Sequence, residues 1–138
     1  MTRLFSALAA AICLVLSPLA ASAAELSPET IEGATTVTPE DAIALFDAGV
    51  PFIDTRKTSD FDAGRVPGAI HLDVTSALTQ ESLAEVVGLN DPVVFYCNGH
   101  TCLRSANATK MALEWGYTEV YFMRDGYPAW ETAGFPIE

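Results

Sequence analysis

The sequence predicts an α/β domain with a mainly parallel central sheet and helices on both faces. Short apolar stretches that suit buried strands alternate along the chain with segments that have a helical spacing of apolar residues. Residues 93–96 are β-branched or aromatic and follow a turn at 90–92, so they form the clearest strand candidate. The other strand candidates lie at 36–37, 51–54, 69–72 and 119–123.

Capping residues and apolar periodicity predict the helices between these strands. Thr38 suits an N-cap, Pro39 takes the first helical position, acidic residues follow, and Gly49 ends the helix. Apolar side chains at 108, 111, 112 and 115 recur at amphipathic spacing before Gly116. We therefore expect helices at 39–48, 105–115 and 127–132, and a weaker helix at 76–87.

The first 24 residues match a secretory signal peptide. Arg3 supplies a short positive region, residues 4–16 are almost entirely apolar, and small residues follow up to Ala24. The apolar stretch is shorter than the roughly 20 residues that cross a bilayer, so we expect cleavage rather than a retained membrane anchor. The prediction is a periplasmic or secreted protein, with an extended lead-in at 25–35 and a single domain at 36–138.

The charge and the cysteines narrow the range of functions. The formal net charge is −11 at pH 7, which argues against nucleic-acid binding because such a surface repels phosphate backbones. Cys13 should be lost with the signal, which leaves Cys97 and Cys102. A disulfide across so short a loop would restrict the unfolded chain only slightly, which favours a chemical role, while a structural bridge stays open.

A reactive thiol is predicted at Cys97, where the strand candidate at 93–96 ends and a glycine-containing loop begins. The helix that starts near Arg104 directs free amides and the positive end of its dipole toward this loop, and Arg104 adds a full charge. Both effects should lower the pKa of Cys97. The alternative is a buried strand-end cysteine. The residues expected to bind the substrate are Asn98, Gly99, His100, Thr101 and Leu103.

Several motifs follow one another in a characteristic order. They are Phe52-Ile53-Asp54-Thr55-Arg56, residues 62–72 around Val66-Pro67-Gly68-Ala69, Val94-Phe95-Tyr96-Cys97 through Arg104-Ser105-Ala106, Gly116-Tyr117, and Asp125-Gly126-Tyr127-Pro128-Ala129-Trp130. This set resembles the rhodanese family over about residues 37–137.

The resemblance implies a rhodanese-like fold and a sulfurtransferase. Such an enzyme would take a sulfane sulfur onto Cys97 as a persulfide and pass it to a thiol or another nucleophilic acceptor. The donor would be a small sulfur-containing anion or a persulfide, held by the loop amides and Arg104. Asp54 and Arg56 would support the loop, and no cofactor is expected.

The loop departs from the common rhodanese pattern. Ser105 lies eight positions after Cys97, where the family has six, and Asn98 replaces the usual arginine. The loop resembles that of an exported rhodanese subgroup with a Cys-Asn-Gly-x-x-Cys motif. We expect a wider or differently shaped pocket, and the preference for thiosulfate stays open. Cys102 is either a resolving thiol or the nucleophile itself, although the position directly after the strand favours Cys97.

Other functions fit parts of the sequence. Cys97 and Cys102 suit a thiol-disulfide redox protein, and the domain could also be a non-catalytic binding module. Phosphatases and arsenate reductases join Cys to Arg, but usually across five residues, against six between Cys97 and Arg104. A zinc or copper site would use both cysteines and His100, with His71 as a fourth ligand. We expect no metal, because the usual Cys-x-x-Cys pairing is absent.

Overall fold

The structure, a computed structural model, describes residues 23–138 and is built on a five-stranded sheet. Its strands are β1 (Ala34–Thr36), β2 (Phe52–Asp54), β3 (Ile70–His71), β4 (Val93–Tyr96) and β5 (Val120–Met123). All neighbouring strands are parallel, and the order across the sheet is β1-β5-β4-β2-β3. β4 lies at the centre, and all four of its residues are fully buried.

Helices cover both faces of this sheet. They are α1 (Pro39–Asp47), α2 (Thr58–Ala63), α3 (Gln80–Ala84), α4 (Arg104–Glu114) and α5 (Gly126–Thr132). Successive residues of β4 point to opposite faces, so Phe95 packs with Ala108 of α4, while Tyr96 packs with Ala42 of α1 and Trp130 of α5. The predicted α/β fold with a parallel sheet is confirmed.

The amino-terminal part of the described chain lies against the domain. Ile31 is buried beside Ala106 and Phe122, and β1 begins at Ala34, within the segment interpreted as a lead-in. Residues 1–22 of the predicted signal segment lie outside the described residues. From residue 23 onward, no helix is both long enough and apolar enough to span a membrane.

The elements between β2 and β4 differ most from the prediction. α3 is shorter than the helix expected at 76–87, because Thr79 and Ser82 form a capping box that starts it at Gln80. The amides of residues 76–78 instead donate to the carbonyl of Asp73 and form a turn.

α2 lies where no helix was expected. Its sequence has only one large apolar side chain, Phe61, and therefore no apolar period.

The sheet places the ends of β2 and β4 side by side. Asp54, the last residue of β2, is in register with Tyr96, the last residue of β4. Residues that follow these two strands therefore emerge at the same carboxyl edge, where ligand sites of parallel sheets lie. Arg56 follows one strand end and Cys97 follows the other.

The aromatic packing around Trp130 provides a stability test of this fold. Its ring is fully buried, with ring centres of Phe46, Phe52 and Phe135 at 5.6, 5.6 and 5.1 Å. Trp130→Ala should lower the free energy of unfolding by about 3–5 kcal/mol, because it leaves a cavity in the core. Denaturant titration measures the change. Trp130→Phe, the control, should lose less, and equal losses in both variants would contradict the packing argument.

Candidate active site

The loop between β4 and α4, residues 97–103, forms the candidate active site. Gly99 has a φ of +113°, which disfavours any side chain, and its carbonyl accepts a hydrogen bond from the Cys102 amide at 3.0 Å. The loop therefore folds back on itself. The carbonyl of Cys97 accepts a hydrogen bond from the Tyr127 amide at 2.8 Å, so the start of α5 supports the loop.

The two cysteines of this loop have different environments. Cys97 is fully buried, and its Sγ lies 3.0 Å from Ser105 Oγ and 3.4 Å from the carbonyl oxygen of Cys102. Cys102 is only partly buried. Both are free thiols. Ser105, which entered the sequence analysis only as a marker of loop length, is therefore a direct partner of the buried sulfur.

The surroundings of Cys102 favour its thiolate. The neighbouring Cys97 thiol has the largest effect and lowers the pKa of Cys102. The amides of Asn98 and Arg104 and the Arg104 charge act in the same direction. Together these contacts outweigh burial and lower the pKa of Cys102 to about 6. The neighbouring Cys102 and burial raise the pKa of Cys97 well above its usual range.

In this arrangement the pKa of Cys97 is raised, and not lowered as expected, although the hydroxyl and the amide of Ser105 at the start of α4 oppose the rise. Cys97 extends a fully buried strand, and its side chain stays inside the fold, as in the alternative of a buried strand-end cysteine. The long loop instead brings Cys102 to the start of α4. The amide of Arg104, expected to act on Cys97, acts on Cys102.

Arg104 is held by a carboxylate that the sequence analysis did not identify. Its Nη1 donates to Asp73 Oδ1 at 2.7 Å, and the same oxygen accepts from the amide and hydroxyl of Thr75 at 2.9 and 2.8 Å. Burial opposes ionisation of Asp73, but the Thr75 hydrogen bonds and the Arg104 charge outweigh it and lower the pKa of Asp73. The available signal was its position directly after the strand candidate at 69–72.

Asp54 and Arg56 form a buried ion pair beneath the loop. Arg56 donates through Nε and Nη2 to the Asp54 carboxylate, at distances of 2.7–3.2 Å, and through Nη2 to the Gly64 carbonyl at 2.6 Å. Its Nη1 donates to Asn98 Oδ1 at 3.2 Å. The Tyr96 hydroxyl donates to Asp54 at 2.8 Å. The pair therefore joins the ends of β2 and β4 to the loop.

Two further carboxylates contact the exposed side of the loop. Asn98 Nδ2 donates to Asp60 Oδ2 at 2.9 Å, and His100 pairs through Nε2 with Asp125. Both loop side chains are solvent-exposed. Two of the residues expected to bind the substrate, Asn98 and His100, thus already have acidic partners.

The segment before β1 is attached to the same loop. The amide of Ser27 donates to the His100 carbonyl at 2.7 Å, and Arg124 donates through Nε and Nη2 to the Ser27 carbonyl at 3.1 and 2.8 Å. Ser27 is almost fully buried. No sequence signal pointed to this contact, because the segment has no apolar period.

The remaining residues that the sequence singled out lie in two regions, the loop with the start of α4, and β3. Thr101 is exposed on the loop, and Leu103 is partly buried at the start of α4. His71 lies on β3, where it stacks on Phe61 and its Nε2 is 2.7 Å from the Arg56 carbonyl oxygen. Within residues 23–138, no group of three or more His, Cys, Asp and Glu side chains is arranged to hold a metal ion.

An open groove of about 740 Å³ adjoins the loop at His100. It is lined by Pro39, Glu40, His100, Asp125, Pro128, Ala129, Thr132 and Ala133. α1 and α5 form its walls. The groove combines carboxylates with short apolar side chains.

The order of elements, the strand-end loop and the supporting ion pair can be compared with known proteins. The rhodanese-like domain model matches residues 38–133. The chain belongs to the rhodanese-like family. The match includes every element of the described structure except β1.

Curated relatives of this rhodanese-like domain have different overall lengths. The HTH-type transcriptional regulator Rv0324 of Mycobacterium tuberculosis is 36% identical over an alignment of 107 positions, and the match covers 72% of this chain and 46% of that protein. The thiosulfate sulfurtransferase GlpE of Haemophilus influenzae is 29% identical over 102 residues, which are 74% of this chain and 92% of GlpE. The chain thus spans less than half of the first relative and nearly all of the second, and sulfurtransferases are among its relatives.

A solved structure shares the rhodanese-like fold. RPA3614 from Rhodopseudomonas palustris, a protein of unknown function and possible tyrosine phosphatase, superposes with a TM-score of 0.59 at 30% identity. The superposition covers 80% of this chain and 98% of that one. The fold similarity therefore extends over most of the described residues.

Gly126 is predicted to be essential for the position of the loop. A Cβ at this position would collide with the Cys97 carbonyl oxygen and the Gly99 nitrogen. Gly126→Ala should therefore lower the free energy of unfolding by about 1–3 kcal/mol more than its positive φ alone explains. Gly49→Ala is the control, because Gly49 has a similar positive φ but open space around it. Equal destabilisation in denaturant titrations would show that the loop contact contributes nothing.

The pKa of Cys102 predicts the pH dependence of alkylation. Iodoacetamide should label Cys102 at a rate that rises through about pH 6, since the thiolate is the reacting form. Peptide mass spectrometry locates the label, and Cys102→Ser should not show the rise in labelling rate through about pH 6. If the labelling rate instead rises only at about pH 8.5, the pKa of an ordinary thiol, the pKa of Cys102 is not lowered.

Proposed function

We propose that this rhodanese-like domain is a sulfurtransferase that carries sulfane sulfur as a cysteine persulfide in the loop and passes it to a thiol or another nucleophilic acceptor. The observation that carries the proposal is a strand-end loop with two free thiols, of which the partly exposed Cys102 has a pKa lowered by Cys97 and by the amides of Asn98 and Arg104. Such amides stabilise an anionic sulfur, and a persulfide has the same need. The similarity to GlpE supports the same reaction class.

The geometry favours Cys102 for the first attack. Its thiolate attacks the outer, sulfane sulfur of the donor, the sulfur–sulfur bond of the donor breaks, and the donor leaves with the electron pair. Cys102 then holds a persulfide. An acceptor thiolate attacks the outer sulfur of that persulfide, forms the new sulfur–sulfur bond and releases the Cys102 thiolate. No net oxidation or reduction occurs.

Cys97, the nucleophile that the sequence favours, has a different position. Its Sγ is fully buried and its thiol stays protonated, so a persulfide on Cys97 requires the loop to open or the sulfur to arrive from Cys102. In the closed loop, the Cys97 thiol lies beside Cys102 and lowers the pKa of Cys102. Ser105 holds the buried sulfur at 3.0 Å.

Thiol-disulfide exchange is a second candidate function. The closeness of the two cysteines favours it, because Cys97 Sγ lies 3.4 Å from the Cys102 carbonyl oxygen and each thiol shifts the pKa of the other. Oxidation would join them and transfer two electrons and two protons to an external oxidant. The signal-like residues 1–24 support a periplasmic or secreted location, where such oxidants are present.

Intact mass spectrometry tests these functions and the choice of sulfur. The wild-type protein, Cys97→Ser and Cys102→Ser are reduced, freed of reductant and incubated with a persulfide donor. Wild type and Cys97→Ser should gain one sulfur and transfer it to an added thiol, whereas Cys102→Ser should gain little. A loss of two hydrogens without sulfur gain would favour the redox protein, and no change would contradict both functions.

The reverse pattern would restore the assignment to Cys97. If Cys97→Ser fails to take up sulfur while Cys102→Ser takes it up fully, the persulfide forms on Cys97 after the loop opens. Unfolding curves of both variants serve as the control, since each should retain the cooperative transition of the wild type. Loss of sulfur uptake in Cys102→Ser and loss in Cys97→Ser are both consistent with a sulfurtransferase, and they differ only in which cysteine carries the persulfide.

A further inference from the structure

The peptide group of Ser27 links the segment before β1 to the cysteine loop. Its amide donates a hydrogen bond to the His100 carbonyl at 2.7 Å, and its carbonyl accepts two hydrogen bonds from the Arg124 guanidinium, at 3.1 and 2.8 Å. Ser27 is almost fully buried, although it lies outside any helix or strand. The loop is therefore tied to a part of the chain that precedes the matched residues 38–133.

Residues 25–33, called the strap below, are fixed at the end that leads into the sheet. Ile31 is buried against Ala106 of α4 and Phe122 of β5. β1 follows the strap directly and pairs with β5. The strap is therefore attached to the domain at one end, and Ser27 attaches its other end to the loop.

The sheet places Arg124 beside the loop that the strap contacts. The last residues of β4 and β5 are in register, so Cys97 and Arg124 leave adjacent strand ends at the same carboxyl edge. The next residue, Asp125, pairs with the His100 ring, and the Tyr127 amide donates to the Cys97 carbonyl. The turn between β5 and α5 thus contacts the loop directly, while Arg124 reaches it through the strap.

The turn at residues 99–102 contacts the buried sulfur of Cys97. Cys97 has no exposed surface, and its Sγ lies 3.4 Å from the Cys102 carbonyl oxygen. The Cys102 amide donates to the Gly99 carbonyl at 3.0 Å, so the turn is hydrogen-bonded within itself. The second partner of the sulfur, Ser105, belongs to α4, which packs on the sheet. The turn is therefore the part that has to move when a reagent reaches the sulfur.

We propose that Ser27 and Arg124 are positioning residues that hold the loop closed over Cys97, so that the strap controls how often this thiol is accessible. His100 lies within the turn at 99–102. Outward movement of the turn therefore breaks either the Ser27–His100 hydrogen bond or the two hydrogen bonds from Arg124. Access to Cys97 is a property of the reduced protein and does not depend on the proposed sulfur transfer.

Alkylation of Cys97 with iodoacetamide in the reduced protein measures how often the loop opens. The rate for a buried thiol follows the population of the open state when opening and closing are fast. All variants carry Cys102→Ser, which removes the competing thiol of the loop, and peptide mass spectrometry measures Cys97 separately from Cys13. Arg124→Met removes the donors and should raise the rate at least about tenfold, the effect of one hydrogen bond to a charged group. Arg124→Lys keeps one donor and should raise it less.

Matched variants separate the strap contact from charge and from packing. Lys110→Met makes the same kind of substitution at an exposed position of α4 and should leave the rate unchanged. Ser27→Pro removes the amide that donates to His100 and should raise the rate about threefold or more. Ser27→Ala keeps that amide and should not change the rate, because the Ser27 hydroxyl has no hydrogen-bond partner within residues 23–138.

The double variant Ser27→Pro/Arg124→Met tests whether both residues act through the strap. Both substitutions affect the same peptide group, so the double variant should label Cys97 about as fast as Arg124→Met alone. The labelling rate should also depend only weakly on low concentrations of urea, because opening of a short loop exposes little surface.

Several results would overturn the proposal. An unchanged rate in Arg124→Met, or an equal increase in Lys110→Met, would show that the contact does not restrain the loop. Effects that multiply in the double variant would show that the two residues act separately. A steep rise of the rate with urea would mean that Cys97 is reached by global unfolding. Failure of the wild-type protein to take up sulfur would contradict the sulfurtransferase and leave the labelling results unaffected.

Discussion

The buried ion pair between Asp54 and Arg56 is the interaction on which the active loop depends. It bonds to the Tyr96 hydroxyl, the Gly64 carbonyl and the Asn98 side chain, so one guanidinium and one carboxylate join two strand ends, a turn and the loop. Because both charges are buried, removing either partner would leave an uncompensated charge at a cost of about 3–5 kcal/mol. The ion pair therefore positions the loop rather than reacting in it.

The loop's shape gives the two cysteines different environments. The ion pair and the Tyr127 amide fix its beginning, and α4 fixes its end. Between these points the turn at Gly99 brings Cys102 back toward the amides of the loop and helix start, while Cys97 stays in the core. The difference in pKa between the two thiols follows from this arrangement, because Cys97 is buried and raised by its neighbour, whereas Cys102 lies beside the helix-start amide and the charge of Arg104. The proposed persulfide chemistry depends on this arrangement.

Sequence reasoning succeeded where local patterns carry the information. The buried strand at 93–96, the helix start at Thr38 and the amphipathic helix before Gly116 all have signals within a few residues, and the structure contains each. It missed α2, which has no apolar period and is ordered by contacts with distant residues such as the Phe61–His71 stack. Asp73 was missed for a related reason, since a lone aspartate does not reveal which arginine it will meet 31 positions away.

The sequence by itself determined the parallel α/β architecture, the family, and the loop with two cysteines and an arginine at a strand end. These properties depend on apolar periodicity, glycine positions and residue spacing, which are local. The tertiary structure alone decided that Cys97 is buried and that Asp73 occupies Arg104. The pKa of a thiol and the availability of a guanidinium depend on distances of a few ångströms between groups far apart in the chain, and only packing sets those distances.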